Sequence, residues 1–192
     1  MVTYLHIRAS SDFTSCGRLH LGHSVFACLI GKSGRAWRKR EGDGKSPIGA
    51  WTLRSGHFRA DRMRRAAGGP HLSILRKDMG WCEVPTSGLY NRAVRLPFRD
   101  GHETMWRKDS AYDVVFPTDH NERPRIKGFG SAIFFHLIRD GAGFTEGCIA
   151  VSAGDMRKIL SRCGRNVRLA VWPSQGQLAV ARRKWHCPPA RG

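Results

Sequence analysis

Short runs of β-branched and aromatic residues, each closed by a cluster of Gly, Pro, Asp or Asn, recur along the chain. They constrain its fold more than any other feature. Val2–Arg8, Ser24–Gly31, Ala50–Leu53, His71–Leu75, Tyr112–Phe116, Ala132–Ile138 and Val167–Trp172 each read as a β-strand. The longest apolar run, Ala132–Ile138, contains His136 and falls far short of the roughly 20 residues a membrane-spanning helix needs. Cys16–His23, with Gly17 and Gly22, reads as a turn leading into the second strand. One helix is predicted. Ser152 is placed to cap it, with Asp155 as the acidic half of a capping box. Met156, Ile159, Leu160 and Cys163 follow at helical spacing, and Gly164 supplies a stop. The stripe is that of an ordinary amphipathic helix covering a sheet.

Two long stretches, Lys32–Gly49 and Lys77–Asp109, show no regular pattern. Loops of that length in a compact domain are functional or disordered, and the second reads as a groove wall because it carries Trp81, Tyr90, Asn91 and Trp106. After Trp172 comes Pro173 and a Gly-, Pro- and Arg-containing stretch that predicts a mobile tail. The expected fold is mainly β with one or two helices, a β-rich α+β domain over residues 1–172, followed by a basic tail over 173–192.

Charge narrows the partner. Lys and Arg number 33 against 15 Asp and Glu, a net charge of +18 that points to a polyanion: nucleic acid, acidic lipid or an anionic polymer. A merely solubilising surface is the plainer reading. Basic residues crowd Lys32–Arg65 and return at Arg182, Arg183, Lys184 and Arg191. With 41% hydrophobic residues the chain has the composition of a folded domain and not of a disordered one. There are no heptads, and the Gly residues follow no period, which excludes coiled coil and collagen.

The six cysteines, Cys16, Cys28, Cys82, Cys148, Cys163 and Cys187, form no C-x-x-C pair, so no zinc ribbon or finger is expected. His20 and His23 form an H-x-x-H without a third ligand near in sequence, and no metal site is expected. An even count leaves disulfides open: Cys16 and Cys28 flank a plausible hairpin, and Cys163 with Cys187 would pin the tail. Met1–Arg8 lacks the basic, apolar and small-residue regions of a signal peptide.

One constellation carries chemistry. A strongly apolar strand delivers His136, a loop with Gly141 and Gly143 follows, and then comes Thr145-Glu146-Gly147-Cys148-Ile149. A thiol nucleophile needs a base, the base needs orientation, and a Gly beside the thiol lets backbone amides approach a substrate carbonyl. Strand–loop–strand geometry over this span can bring His136 and Cys148 together. A buried Cys is ordinarily inert and a strand His ordinarily a satisfied core residue, so on these residues alone catalysis and core packing both stand open.

The same residues resemble the active-site motif of the L,D-transpeptidase catalytic domain (YkuD-like) family: a strand-borne His, a loop, then Ser/Thr-x-Gly-Cys-Ile/Val. Glu41-Gly42-Asp43-Gly44-Lys45-Ser46-Pro47-Ile48-Gly49 is similar to a second family segment, G-D-G-x-T-P-x-G. Trp81, Leu89–Arg92, Met105–Arg107, Tyr112–Val115 and Gly130–Phe134 follow in the family's order, so the resemblance runs from near Met1 to about Trp172. Departures are Leu137 after the His, Glu146 before the Gly-Cys and Ala150 where many members carry Arg. With the short His-to-Cys loop, these resemble a compact Gram-negative branch. An Arg within Lys32–Arg65 or Arg92–Arg107 would replace the missing carboxylate clamp.

The resemblance implies a β-sandwich or barrel-type catalytic domain that needs no cofactor. It implies that Cys148 attacks the carbonyl of the third residue of a peptidoglycan stem peptide. His136 would activate the thiol, with the carbonyl of Leu137 orienting it. Thr145 would fix the turn, and the Gly147 and Cys148 amides would stabilise the oxyanion. An acceptor amine, from a third-position side chain or a first-position L-Ala, then forms the cross-link; water in its place makes an L,D-carboxypeptidase. Hydrolysis of bonds between the wall and attached proteins is a further branch. Trp81, Tyr90, Asn91, Tyr112 and Ser131 are the groove candidates. The nucleophile must stay free, so a three-disulfide framework is not expected. A covalent carbapenem adduct, a monomeric state and a periplasmic or envelope location follow from the same resemblance. The alternative of a different class is a basic nucleic-acid-binding module. It fits the charge, but aromatic residues do not interleave with the basic run as a stacking platform requires.

Overall fold

A computed structural model describes residues 1–11 and 13–184, the side chains of 180–184 excepted. In chain order the strands are β1 (Thr3–Arg8), β2 (Cys16–Leu21), β3 (Ser24–Leu29), β4 (Arg35–Ala36), β5 (Ser46–Pro47), β6 (Gly49–Thr52), β7 (Gly56–Phe58), β8 (Leu72–Ile74), β9 (Met79–Cys82), β10 (Arg92–Arg95), β11 (His102–Thr104), β12 (Val114–Pro117), β13 (Phe134–Leu137), β14 (Ile149–Val151) and β15 (Val167–Val171). Two helices, α1 (Ala153–Ser161) and α2 (Gln175–Lys184), complete the fold. It is mainly β, as the sequence implies. Ten strands form one curled sheet in the order β6-β15-β1-β2-β3-β14-β13-β12-β7-β8.

Strand alternation explains why the sheet buries both a core and a site. In β1, Leu5 and Ile7 are fully buried, while Tyr4, His6 and Arg8 point the other way. The main core gathers Leu5, Ile7, Leu19, Ile30, Phe116, Phe135, Leu137, Ile149 and Val151 under α1, which contributes Met156, Ile159 and Leu160. Each such side chain contributes roughly 1.5–3 kcal/mol on burial. A second cluster on the opposite face joins Leu75, Met105, Tyr112, Val115, Phe134 and Cys148.

Several elements depart from the sequence-based expectation. Cys16–His23 is not a turn: it forms β2, paired along its length with β3, and only Gly22 and His23 turn. Leu19 is the one fully buried residue of β2, too little apolar patterning to mark a strand. Cys16 and Cys28 flank this hairpin one residue out of register and are free thiols. Lys77–Asp109 is not irregular. It holds β9, β10 and β11, a separate sheet in the order β10-β9-β11, whose strands of three or four residues fall below the length at which alternation is legible. Lys32–Gly49 contains the two-residue pair β4 and β5 and ends on the first residue of β6.

Helix α1 begins as expected, with Ser152 Oγ accepting the Asp155 amide at 3.1 Å. It does not end on Gly164. Arg162, in the right-handed region, closes it through its own N–H. The stretch expected as a tail opens on α2, and Gln177 Nε2 donates to the Arg35 carbonyl at 2.9 Å. Cys187, and with it the pairing to Cys163 that the sequence left open, lies outside the described residues. Among the described residues no helix is long and apolar enough to cross a membrane.

Candidate active site

Strands β13 and β14 run parallel, with Phe135 opposite Ile149, His136 opposite Ala150 and Leu137 opposite Val151. Alternation then sorts the side chains. Phe135, Leu137, Ile149 and Val151 enter the main core, whereas Phe134 and Cys148 join the opposite cluster. His136, two residues from Phe134, shares that face with Cys148. Both line one cavity of about 620 Å³.

The turn carrying Cys148 is held from three sides. Thr145 Oγ1 donates to the Cys148 carbonyl at 2.6 Å and accepts the Gly147 amide at 3.2 Å. Gly147 has φ 140°, and a Cβ there would lie 2.8 Å from the Lys45 carbonyl, so only glycine fits. Ser46 Oγ accepts the Gly31 amide at 2.9 Å and reaches the Cys148 carbonyl at 3.4 Å. Asp43 organises the segment behind this contact, accepting Lys39 Nζ at 2.5 Å, the Arg40 amide at 2.8 Å and the Lys45 amide at 2.9 Å. The Gly-Asp-Gly stretch therefore braces the cysteine turn.

Cys148 Sγ donates to the Ala132 carbonyl at 3.1 Å and accepts the Phe134 amide at 3.3 Å. Burial pushes the thiol up to about 12, and the nearby Glu103 carboxylate adds to the shift. His136 Nδ1 meets the Leu137 carbonyl at 2.8 Å, which places the proton on Nδ1 and leaves Nε2 as an acceptor. Burial lowers the His136 imidazole to about 4. The resting pair is thus neutral thiol and neutral imidazole, not an ion pair. Tyr112 stands edge-on to the His136 ring, centroids 5.3 Å apart, and its hydroxyl donates to Glu103 Oε1 at 2.5 Å.

Of the expected site residues, Cys148, His136, Thr145, Tyr112 and Ser131 line the cavity. Trp81, Tyr90 and Asn91 stand behind its wall. Trp81 packs edge-on to Phe134 at 5.1 Å and donates from Nε1 to Asn91 Oδ1 at 3.0 Å. Tyr90 donates to Glu41. Leu137 is core, with its carbonyl turned to His136. The Gly147 amide is engaged by Thr145, which leaves the Cys148 amide as the other donor of that pair.

Sequence reasoning did not single out Lys39, Glu83, Glu103 or Arg139, all of which line the cavity. Glu83 is raised to about 7, first by burial and then by the charges of Glu103 and Glu41. The only signals were position: Glu41 opens the Gly-Asp-Gly segment, and Glu103 precedes the Met105–Arg107 segment. Arg107, within one of the stretches expected to supply a clamp, is occupied by Asp109 at 2.7 Å and Glu103 at 3.3 Å. Arg139 stands exposed at the mouth, in the loop between His136 and Cys148. No group of three or more His, Cys, Asp or Glu side chains among the described residues is placed to hold a metal ion.

No curated protein and no solved structure matches the chain. A family model does: the L,D-transpeptidase catalytic domain, YkuD, matches residues 15–171. That span runs from the start of β2 to the end of β15 and includes every strand that builds the cavity. The chain belongs to the YkuD family of L,D-transpeptidase catalytic domains, which acts on the cell wall.

Proposed function

We propose that this chain is a cysteine L,D-transpeptidase acting on peptidoglycan stem peptides, with residues 1–172 as its catalytic unit and 173–192 as a basic appendage. One observation carries the reading. His136 on β13 and Cys148, directly before the parallel neighbour β14, line one cavity, and His136 donates from Nδ1 to the Leu137 carbonyl, the tautomer in which Nε2 is the basic nitrogen.

Both groups rest neutral, so proton transfer accompanies attack. The thiol proton passes to His136 Nε2 as Cys148 Sγ bonds to the carbonyl carbon of the third stem residue. The Cys148 amide, with the turn held by Thr145 and Gly147, stabilises the oxyanion. Collapse breaks the bond to the terminal D-amino acid, and His136 returns the proton to the departing amine. An acceptor amine then attacks the thioester, loses its proton to His136, and leaves as the cross-linked product while Cys148 regains its proton. Tyr112 and Ser131 contact the stem, and Arg139 receives its carboxylate. Trp81, Tyr90 and Asn91 act from behind as supports of the wall. The substrate places the enzyme in the periplasm or envelope, and the site works as a monomer without a cofactor.

Intact mass after carbapenem treatment tests the nucleophile. The adduct is expected in the parent chain and in Cys16→Ala and is lost in Cys148→Ala. Failure of the parent chain both to form the adduct and to act on muropeptides overturns the reading. Products from tetrapeptide muropeptides then separate the reactions, dimers marking transpeptidation and tripeptides alone an L,D-carboxypeptidase.

A further inference from the structure

The face of the large sheet that holds Cys148 and His136 does not stop at the cavity. Leu29 on β3 pairs with Ala150 on β14, and Leu29 itself lines the cavity wall. From Leu29 the same face continues through Ala27 opposite Arg18, then Arg18 opposite Arg8, and so onto β1. There the outward positions are Tyr4, His6 and Arg8, with His6 opposite His20 and Tyr4 opposite Arg168. This part of the sheet is open to solvent: Tyr4 is 41% exposed, Trp172 44% and Val25 52%.

Two features distinguish this surface from an ordinary solvated face. First, its aromatic groups are mutually ordered. Tyr4 and His6 lie 5.8 Å apart at 9°, His6 and Trp172 lie 5.9 Å apart, and Trp172 Nε1 donates to His6 Nδ1 at 3.0 Å. The Arg8 guanidinium sits 5.5 Å above the Trp172 ring. Side chains already held in place lose little conformational entropy on binding. Second, Arg8, Arg18 and Arg168 flank the aromatic row, and no acidic residue occupies β1, β2, β3, β6 or β15.

We propose that this surface is an exosite for the wall polymer outside the cleft, its glycan backbone together with the free carboxylates of the stem peptides that backbone bears. The proposal rests on the reading of the cleft as a stem-peptide site. Apolar faces of sugar rings pack on the Tyr4, His6 and Trp172 row by dispersion, and the guanidinium groups take the polymer's carboxylates with bidentate hydrogen bonds. Continuity through Leu29 favours this occupant over nucleic acid, because the stems entering the cleft are borne by that same glycan.

The test uses the full chain, insoluble peptidoglycan sacculi and a soluble sugar-free tetrapeptide stem. Arg8→Gln/Arg18→Gln/Arg168→Gln and, separately, Tyr4→Ser are each compared with the parent chain after melting temperatures are matched. At least fivefold weaker pelleting with sacculi, with turnover of the soluble stem unchanged, supports the exosite. Pelleting equal to the parent in both variants overturns it. Tighter binding of single-stranded DNA than of sacculi, lost in the same variants, also overturns it in favour of nucleic acid. A parent chain inert on the soluble stem, with the pelleting difference intact, sinks the assignment of the cleft and leaves the surface standing.

Discussion

Asn91 Oδ1 accepts the amide of Ala132 at 3.1 Å, and the carbonyl of the same Ala132 receives the Cys148 thiol. Ala132 has φ 52°, a left-handed conformation that an alanine adopts only when its surroundings impose it. Asn91, itself at φ 54°, is the imposing group. It also accepts Trp81 Nε1 and donates to the carbonyls of His120 and Asn121, both at 3.0 Å. A side chain behind the cavity wall therefore sets the position of the residue that holds the Cys148 thiol.

Replacing Asn91 removes this support. In Asn91→Ala the Ala132 amide and the Trp81 indole lose their acceptor, at roughly 1–3 kcal/mol for each buried donor left unpaired. Asn91→Gly loses the same bonds but accommodates the positive φ, and is expected to be more stable than the alanine variant by about 1 kcal/mol. Urea denaturation of the two variants measures the difference. Equal stability would show that φ at position 91 carries no strain.

The cysteine turn separates a steric requirement from a hydrogen-bonding one. Gly147→Ala meets the Lys45 carbonyl and is expected to lose about 1–3 kcal/mol of stability together with activity. Thr145→Val keeps the shape but removes the hydroxyl that joins the Cys148 carbonyl to the Gly147 amide, whereas Thr145→Ser keeps both bonds. The expected order of turnover is parent, Ser, then Val. A valine variant as active as the serine one would remove the hydroxyl from the account.

Stability should fall on both sides of neutrality for reasons tied to the site. The His136 imidazole titrates near 4 in the folded chain against an ordinary 6.5, so between those values the unfolded chain binds more protons and stability declines as pH falls. The Cys148 thiol titrates near 12 against an ordinary 9.0, so above 9 the unfolded chain releases a proton that the folded one keeps, and stability declines as pH rises. Thermal melts across pH should show a shallower acid limb in His136→Gln and a shallower alkaline limb in Cys148→Ala. Alkylation of Cys148 by iodoacetamide, followed by peptide mass, should keep accelerating above pH 9 without a plateau near neutrality.

Helix α1 provides a control away from the cavity. Ser152→Ala removes the cap on the Asp155 amide and should cost about 1 kcal/mol, while carbapenem acylation of Cys148 proceeds as in the parent chain. A change in acylation would mean that α1 is coupled to the cysteine turn through the core.

What the residues determined unaided was local. The runs of β-branched and aromatic residues at Val2–Arg8 and Val167–Trp172, the Ser152 cap and the short path from His136 to Gly147-Cys148 all depend on near neighbours in the chain. A strand, a loop and a second strand leave few arrangements over so short a span, and His136 and Cys148 line one cavity as a result. The acidic lining was not legible because Glu103 lies on β11 and Glu83 directly follows β9, strands of the three-stranded sheet that are too short to show a period and that reach the cavity only through long-range packing. Tertiary structure likewise decided that Gly147 spends its amide on Thr145, that the Gly-Asp-Gly segment braces the turn, and that the thiol and imidazole rest neutral. Each depends on contacts across distant parts of the chain or on exclusion of water, and neither is written in a run of adjacent residues.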